Sequence, residues 1–334
     1  MRILLIGINF GSYELKILNE LRQQGNDVFY MYDSNPHYTL YLRIFGKKNA
    51  ECLIERYQRK MLAKIKDGFD RVIVIVGRKL CPFFLEDIKK RNSTAKFILY
   101  LWDDVKRVEN YEKTKHYYDE VYSFDLKDCK KYGFMHLPLF FTQEPVGKYK
   151  KEWDVYSAMF SHSEREQIVS SINKQAVDNG CKSKFYISLG RFLYLKRLKE
   201  IIKNNNPNIK YISKPITEER NYVNMEKSRT ILDCPFKGQF GLTMRTIESL
   251  GMRNKLITTN KSIKYYDFYD ENNISIITRD KPLLNVDFLK SSYHHIPHDI
   301  LYKYSLKTWV KVITGVMDVP NYIGNNNILL LDFD

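Results

Sequence analysis

One alternation runs through the chain twice: an unbroken apolar run, a turn, then a stretch whose apolar residues recur at helical spacing. In the first half the runs are 3–8, 28–32, 71–76, 96–101, 120–124 and 134–139; in the second, 154–160, 184–189, 209–212, 229–233, 255–258 and 274–277. Helical patterns fall between them, with Leu15, Leu18 and Leu21 first, then 53–65, 83–90, 126–132, 164–179, 195–203, 222–228 and 243–251. Strands that are apolar throughout are buried on both faces, which is the signature of parallel sheets covered by helices. The expected fold class is α/β, with two Rossmann-like domains whose parallel sheets face each other across a cleft.

Length agrees, because 334 residues exceed the usual single domain. The stretch 142–153 is rich in Lys, Gly, Pro and Glu and lacks an apolar period, so the linker is expected there. The domains are then 1–145 and 152–299. Within 300–334, an amphipathic helix over 300–313 carrying Trp309 is expected to return to the first domain, ahead of a tail.

Lys plus Arg number 54 against 39 Asp plus Glu, a formal charge of +15 that favours anionic partners. Many of these cations, such as Lys89, Lys90, Lys130, Lys131, Lys150 and Lys151, read as solvated faces. No zinc finger, RNA-recognition signature or helix-turn-helix context accompanies the charge, and nucleic acid is not an expected partner. No run approaches the roughly 20 apolar residues of a membrane span, and the opening segment has no cleavage pattern. A cytosolic chain is expected, with Arg191, Lys196, Arg197 and Lys199 available to meet an anionic membrane surface on its inner face. The five cysteines are scattered and never form CxxC, so reduced thiols are expected rather than disulfides or zinc.

The densest chemistry lies in Gln239-Phe-Gly-Leu-Thr-Met-Arg-Thr-Ile-Glu248, directly after the run 229–233. A glycine-bearing loop (Gly241, Leu242) that opens a helix offers unpaired N–H groups and a positive dipole end, both suited to phosphate. Thr243 is positioned to cap that helix, Arg245 to add a guanidinium, and Glu248 to accept from a ribose diol one turn further along. His162, Ser163 and Arg165 follow the first strand of the second half, at the carboxyl edge where open α/β sheets bind ligands. Lys214 and Ile216 lie in the loop after a later strand.

In the first half, Gly7, Asn9, Gly11 and Tyr13 form the first strand-to-helix turn, but their spacing is not GxGxxG, which argues against a nicotinamide site. Asp103 and Asp104 end the run 96–101, where either can serve as a general base for an acceptor hydroxyl or as a helix cap. Asp33 and His37 are weaker candidates of the same kind. No convincing DxD loop is present, and neither a metal nor another cofactor is expected.

The segment from Gln239 to Glu248, with the Lys255-Leu-Ile-Thr-Thr-Asn260 strand after it, resembles the donor-site region of GT-B glycosyltransferases. Most closely it resembles their CgeB-like branch of lipopolysaccharide and capsule biosynthesis, in which a Gln-x-Gly-Leu-Thr-x-Arg-x-x-Glu pattern recurs. Weaker likenesses occur at Met1-Arg-Ile-Leu-Leu-Ile-Gly7, Leu101-Trp-Asp-Asp104, Phe124-Asp125, Leu137-Pro-Leu-Phe140 and the stretch 154–165. The resemblance implies transfer of a sugar from a nucleotide diphosphate donor, a UDP-sugar first, onto a bacterial cell-surface glycan or lipid-linked oligosaccharide. It also implies that His162, Ser163 and Arg165 face the diphosphate and that the backbone at Lys214 and Ile216 meets the nucleobase. Retaining members place a second glutamate eight residues before the ribose ligand; here Phe240 stands in that place with Gln239 beside it, so the stereochemistry stays open. A nucleotide-sugar epimerase of the same fold is the alternative, with a nucleic-acid-binding protein a more distant one.

Overall fold

The computed structural model describes residues 1–8, 11–203, 206–324, 328 and 331. Asn9 of the first turn lies outside the described residues, and of the tail beyond Gly324 only Ile328 and Leu331 fall within them.

Six strands, β1 (Arg2–Gly7), β2 (Asp27–Tyr32), β3 (Arg71–Ile75), β4 (Lys96–Leu101), β5 (Glu120–Ser123) and β6 (Met135–His136), form a parallel sheet in the order β2-β1-β3-β4-β5-β6. Six more, β7 (Trp153–Phe160), β8 (Ser183–Ser188), β9 (Ile209–Ile212), β10 (Ser228–Asp233), β11 (Lys255–Thr258) and β12 (Ile274–Ile276), form a second in the order β12-β11-β10-β7-β8-β9. The two-domain α/β expectation holds. Ile3, Leu4, Leu5 and Ile6 of the inner strand β1 are fully buried, as continuous apolar runs covered by helices require.

Strand order fixes where a ligand can sit. Counted from its own first strand, the second sheet has the dinucleotide-binding order, reversing between β7 and β10; the first sheet reverses between β1 and β3. At such a reversal, crossover helices leave on opposite faces and open a crevice at the strands' carboxyl ends. The two crevices face each other, because Tyr13, after β1, hydrogen-bonds Glu248 of the second half, and Asp125, after β5, accepts the N–H of Gly241 at 2.7 Å.

The C-terminal segment packs on the first sheet. Trp309 is buried edge-on against Tyr100 with ring centres 4.8 Å apart, and the Leu306 N–H donates to the Phe141 carbonyl at 3.0 Å. One apolar cluster therefore spans the first sheet, this segment and the near face of the second sheet, while Val155, Ile168, Ile187, Leu232 and Ile257 build another on the far face.

Several helices differ from their expected bounds. The one expected over 53–65 is the back of Tyr38–Leu62, interrupted at Gly46 (φ 76°, ψ 173°); residues 39–49 are exposed on every side, so no buried face gave them a period. The stretch 195–203 divides into Arg191–Lys196 and Leu198–Lys203. The single helix expected over 300–313 is two, His298–Lys303 and Leu306–Ile313, the second capped by Ser305 Oγ, which accepts the Thr308 N–H at 3.2 Å. The run 134–139 keeps only two residues as strand, at the sheet's edge.

Candidate functional site

The helix Met244–Gly251 starts at the carboxyl end of β10 and is tied to that strand by Asp233, which is fully buried. Asp233 Oδ2 accepts from the hydroxyls of Thr243 at 2.7 Å and Thr246 at 2.9 Å, and Oδ1 accepts from the Arg245 guanidinium at 2.8 Å. Thr243 Oγ1 caps the helix by accepting the Thr246 N–H at 3.1 Å, as its position in the sequence requires. Arg245 also donates to the Ala158 carbonyl at 2.5 Å, so it joins β7 to β10 across the sheet's reversal with only part of its guanidinium facing the crevice.

Two expectations for this loop are corrected. The N–H groups of Phe240 and Gly241 are not free for phosphate; both donate to Asp125 Oδ2, at 3.1 and 2.7 Å, because the first domain closes on the loop. Leu242 is buried in the apolar cluster and lines neither cavity described below. The glycine is needed for close approach rather than for an exposed amide, since a Cβ at Gly241 would lie 2.5 Å from the Phe124 ring. Met244 and Arg245 hold first-turn N–H groups that a helix cannot satisfy internally.

Glu248, one turn on, is buried, and its Oε1 accepts from the phenol of Tyr222 at 2.9 Å and from that of Tyr13. Burial raises its carboxyl above the ordinary range, and the two phenols and Arg245 pull it back. It forms one wall of a cavity of about 410 Å³ shared with Ser12, Tyr13, Tyr186, Ile216 and Arg245. Ile216 is therefore at the site, whereas the Lys214 side chain is exposed and is not part of the lining.

Cations crowd the ground between this cavity and the first domain. The His162 ring stacks on Phe236 with centres 3.9 Å apart and planes 8° from parallel. Burial, and then Arg165, Arg245, Arg279 and Arg107, push His162 down to about 4, so it is neutral at physiological pH. Arg165 is buried and, among the described residues, donates to the carbonyls of Cys234 at 2.6 Å and Phe160 at 3.2 Å; its guanidinium is pulled down to about 10 by burial and by Arg245. Arg107 lies over the Phe236 ring at 4.4 Å, and Arg279 donates to the Pro235 carbonyl at 2.6 Å with Glu164 at 3.4 Å. Carboxylates already pair with three of these arginines, Asp233 with Arg245, Glu164 with Arg279 and Asp104 with Arg107, so that among the described residues Arg165 is the one of the four without a carboxylate within 4 Å. Ser163, exposed beside His162, has φ 51°, a left-handed conformation costly for a side-chain-bearing residue.

A second cavity of about 290 Å³ lies between the domains, lined by Trp102, Asp103, Asp104, Arg107, Arg165, Phe236, Gln239 and Thr243 among others. Tyr13 borders both cavities. Asp103 is ion-paired with Arg78, which follows a tight turn at the end of β3 where the Gly77 N–H reaches the Ile75 carbonyl at 2.7 Å and Val76 has φ 60°. For a β-branched residue that conformation is a true outlier, and it sits at the first sheet's reversal. The Asp104 carboxyl is raised by burial and by Asp125, against Arg107 at 3.6 Å and Lys106 at 3.8 Å. Gln239 Nε2 donates to the Gly241 carbonyl at 3.1 Å. Among the described residues no three His, Cys, Asp or Glu side chains gather as a metal-holding set.

No protein-family model matches the sequence, and no curated protein does. Solved structures do match. A trehalose-6-phosphate structure from E. coli bound with UDP-2-fluoro glucose aligns over 95% of this chain and 98% of its own, with TM-score 0.59 and 10% identity. The apo form of the lipopolysaccharide outer core galactosyltransferase WaaB aligns over 95% and 100%, with TM-score 0.54 and 10% identity. A UDP-forming α,α-trehalose-phosphate synthase from Burkholderia vietnamiensis gives 95%, 96%, 0.52 and 10%. The chain has the GT-B fold.

In this GT-B chain Arg165, Thr243, Asp103, Asp104 and Gln239 line the interdomain cavity and Arg245 the one walled by Glu248, while His162 lines neither and stacks on Phe236, which borders the interdomain cavity. Asp33 is apart from them: it is buried at the end of β2, accepting the Lys79 N–H at 3.0 Å, and His37 is exposed. Sequence reasoning missed Arg107, Arg279, Tyr222 and the clasp at Asp125. Arg279, just past the carboxyl end of β12, had the strand-end position that could have marked it.

Proposed function

We propose that the chain is a glycosyltransferase that moves a sugar from a nucleoside diphosphate, a UDP-sugar first, to a hydroxyl of a bacterial cell-surface glycan or lipid-linked precursor. The observation that carries this reading is the cationic ring of Arg107, Arg165, Arg245 and Arg279 about a neutral His162, beside a cavity walled by Glu248. The guanidinium groups match a diphosphate as hydrogen-bond donors, and Glu248 matches a ribose diol as an acceptor. The shared fold with a structure bound with UDP-2-fluoro glucose supports it, and the segment from Gln239 to Glu248 supports the CgeB-like branch.

In the reaction, the bond from the anomeric carbon to the diphosphate oxygen breaks, a bond from the acceptor oxygen to that carbon forms, and the acceptor proton leaves to a base. The arginines and the start of helix Met244–Gly251 stabilise the negative charge left on the diphosphate. Asp104 is the base, its raised carboxyl lying in the interdomain cavity that receives the acceptor.

The test pairs ligand binding with turnover. UDP-, GDP- and CMP-sugars are screened for thermal stabilisation, and released nucleotide is measured for the best of them. Glu248→Gln keeps an acceptor for Tyr13 and Tyr222, and it should lower turnover about 10- to 100-fold by weakening a charged hydrogen bond. Full activity in that variant, or an epimerised donor as the product with no nucleotide released, contradicts the reading.

A further inference from the structure

Two helical segments, one from each half, carry large apolar side chains that none of the described residues covers. In the first, residues 39–49 are exposed on every side, among them Leu40, Tyr41 and Leu42, with Ile44 60% and Phe45 52% exposed. An isolated helix of two turns is marginal in water, and an apolar helix without a packed face is held by a partner. In the second, the helices Arg191–Lys196 and Leu198–Lys203 have no buried residue; Phe192 is 83%, Leu195 69% and Ile202 67% exposed.

Both segments are interleaved with cations. Arg43, Lys47 and Lys48 belong to the first, where Lys47 makes an exposed 3.9 Å pair with Glu51, and exposed Arg191, Lys196, Lys199 and Lys203 to the second. Arg197 is occupied by Glu166 and Glu200.

Topology puts the segments at one end of the molecule. Lys16, after β1, is ion-paired with Glu218, after β9, while Asp125, after β5, holds Gly241, after β10. The sheets are thereby aligned so that the β2 edge of the first lies toward the β9 edge of the second. The first segment follows β2 and the second follows β8, so both begin at the carboxyl ends of their strands, on the rim of the cleft at that shared end.

We infer that this end of the cleft docks on an anionic lipid bilayer. Five apolar side chains from one half and three from the other enter the interface, and seven cations meet the headgroups. A bilayer is favoured over a protein because the apolar residues are mixed with exposed cations, the pattern of interfacial helices. The inference does not depend on the proposed reaction: docking can be read without any sugar donor.

The experiment is co-sedimentation of the full chain with vesicles of phosphatidylglycerol and phosphatidylethanolamine, against vesicles of phosphatidylcholine alone, at low and high salt. The chain should partition to the anionic vesicles and be released by salt. I44Q/F45Q and F192Q/L195Q should each weaken partitioning by about tenfold or more with the thermal midpoint unchanged. R191Q/K196Q/K199Q should remove most of the salt dependence contributed by the second segment. Wild-type chain left in the supernatant at low salt overturns the inference, as do unchanged partitioning in both apolar double variants and self-association abolished by them, which would give the surface to a second copy.

Discussion

Asp125 Oδ1 accepts the Lys127 N–H at 2.9 Å within the first domain, and its Oδ2 accepts the Gly241 N–H at 2.7 Å from the second. One carboxylate thus caps a helix on one side of the cleft and fixes the motif loop on the other.

Asp125→Ala should therefore destabilise the fold and open the cleft together. Loss of the cap and of the acceptor for two amides from the second domain is expected to cost about 3 kcal/mol. Urea unfolding measures the first effect, and small-angle scattering measures the second as a larger radius of gyration. A stable, closed variant would show that the clasp does not hold the halves together.

Gly241→Ala should be costly for a different reason. Its Cβ would meet the Phe124 ring at 2.5 Å, and overpacking of that kind costs about 1–3 kcal/mol. Phe124→Leu in the same chain should recover part of the loss. A double variant no better than the single would mean that the backbone, rather than the ring, sets the requirement.

The parallel sheets were legible because their strands are buried on both faces and read as unbroken apolar runs, from Ile3 to Ile277. The motif helix was legible because Thr243, Arg245 and Glu248 sit on one short element. Arg107, Arg279 and Tyr222 were not, since each reaches the site only when separate loops close on it, and no spacing within the chain encodes that approach. The same closure spends the Gly241 amide on Asp125, which a reading of the loop alone cannot anticipate.

His162 should report on ligand charge. It titrates near 4 in the free chain because burial and four arginines disfavour its cation. A diphosphate among those arginines offsets their field and should move the His162 pKa upward. NMR titration of the ring protons with and without UDP measures this, and an unmoved or lowered value contradicts anion binding beside it.

Asp33 gives a pH signature in stability. Burial lifts its carboxyl from 3.8 to about 6, so the folded chain holds this proton more tightly than the unfolded chain does. The contribution is full below about pH 4 and is lost as pH rises through about 6. Asp33→Asn, which keeps an acceptor for the Lys79 N–H, should exceed the wild type by up to about 3 kcal/mol at pH 7.5, with the gap narrowing toward pH 4. Urea unfolding at both pH values checks it, and a gap independent of pH rules it out.

A nucleoside diphosphate is expected between the arginines around His162 and the carboxylate of Glu248. A crystal structure of the chain with UDP-glucose addresses it most directly. The diphosphate should lie within hydrogen-bond distance of at least two of Arg107, Arg165, Arg245 and Arg279, with the ribose hydroxyls on Glu248. A nucleotide bound elsewhere, with Glu248 still held only by Tyr13 and Tyr222, would contradict it.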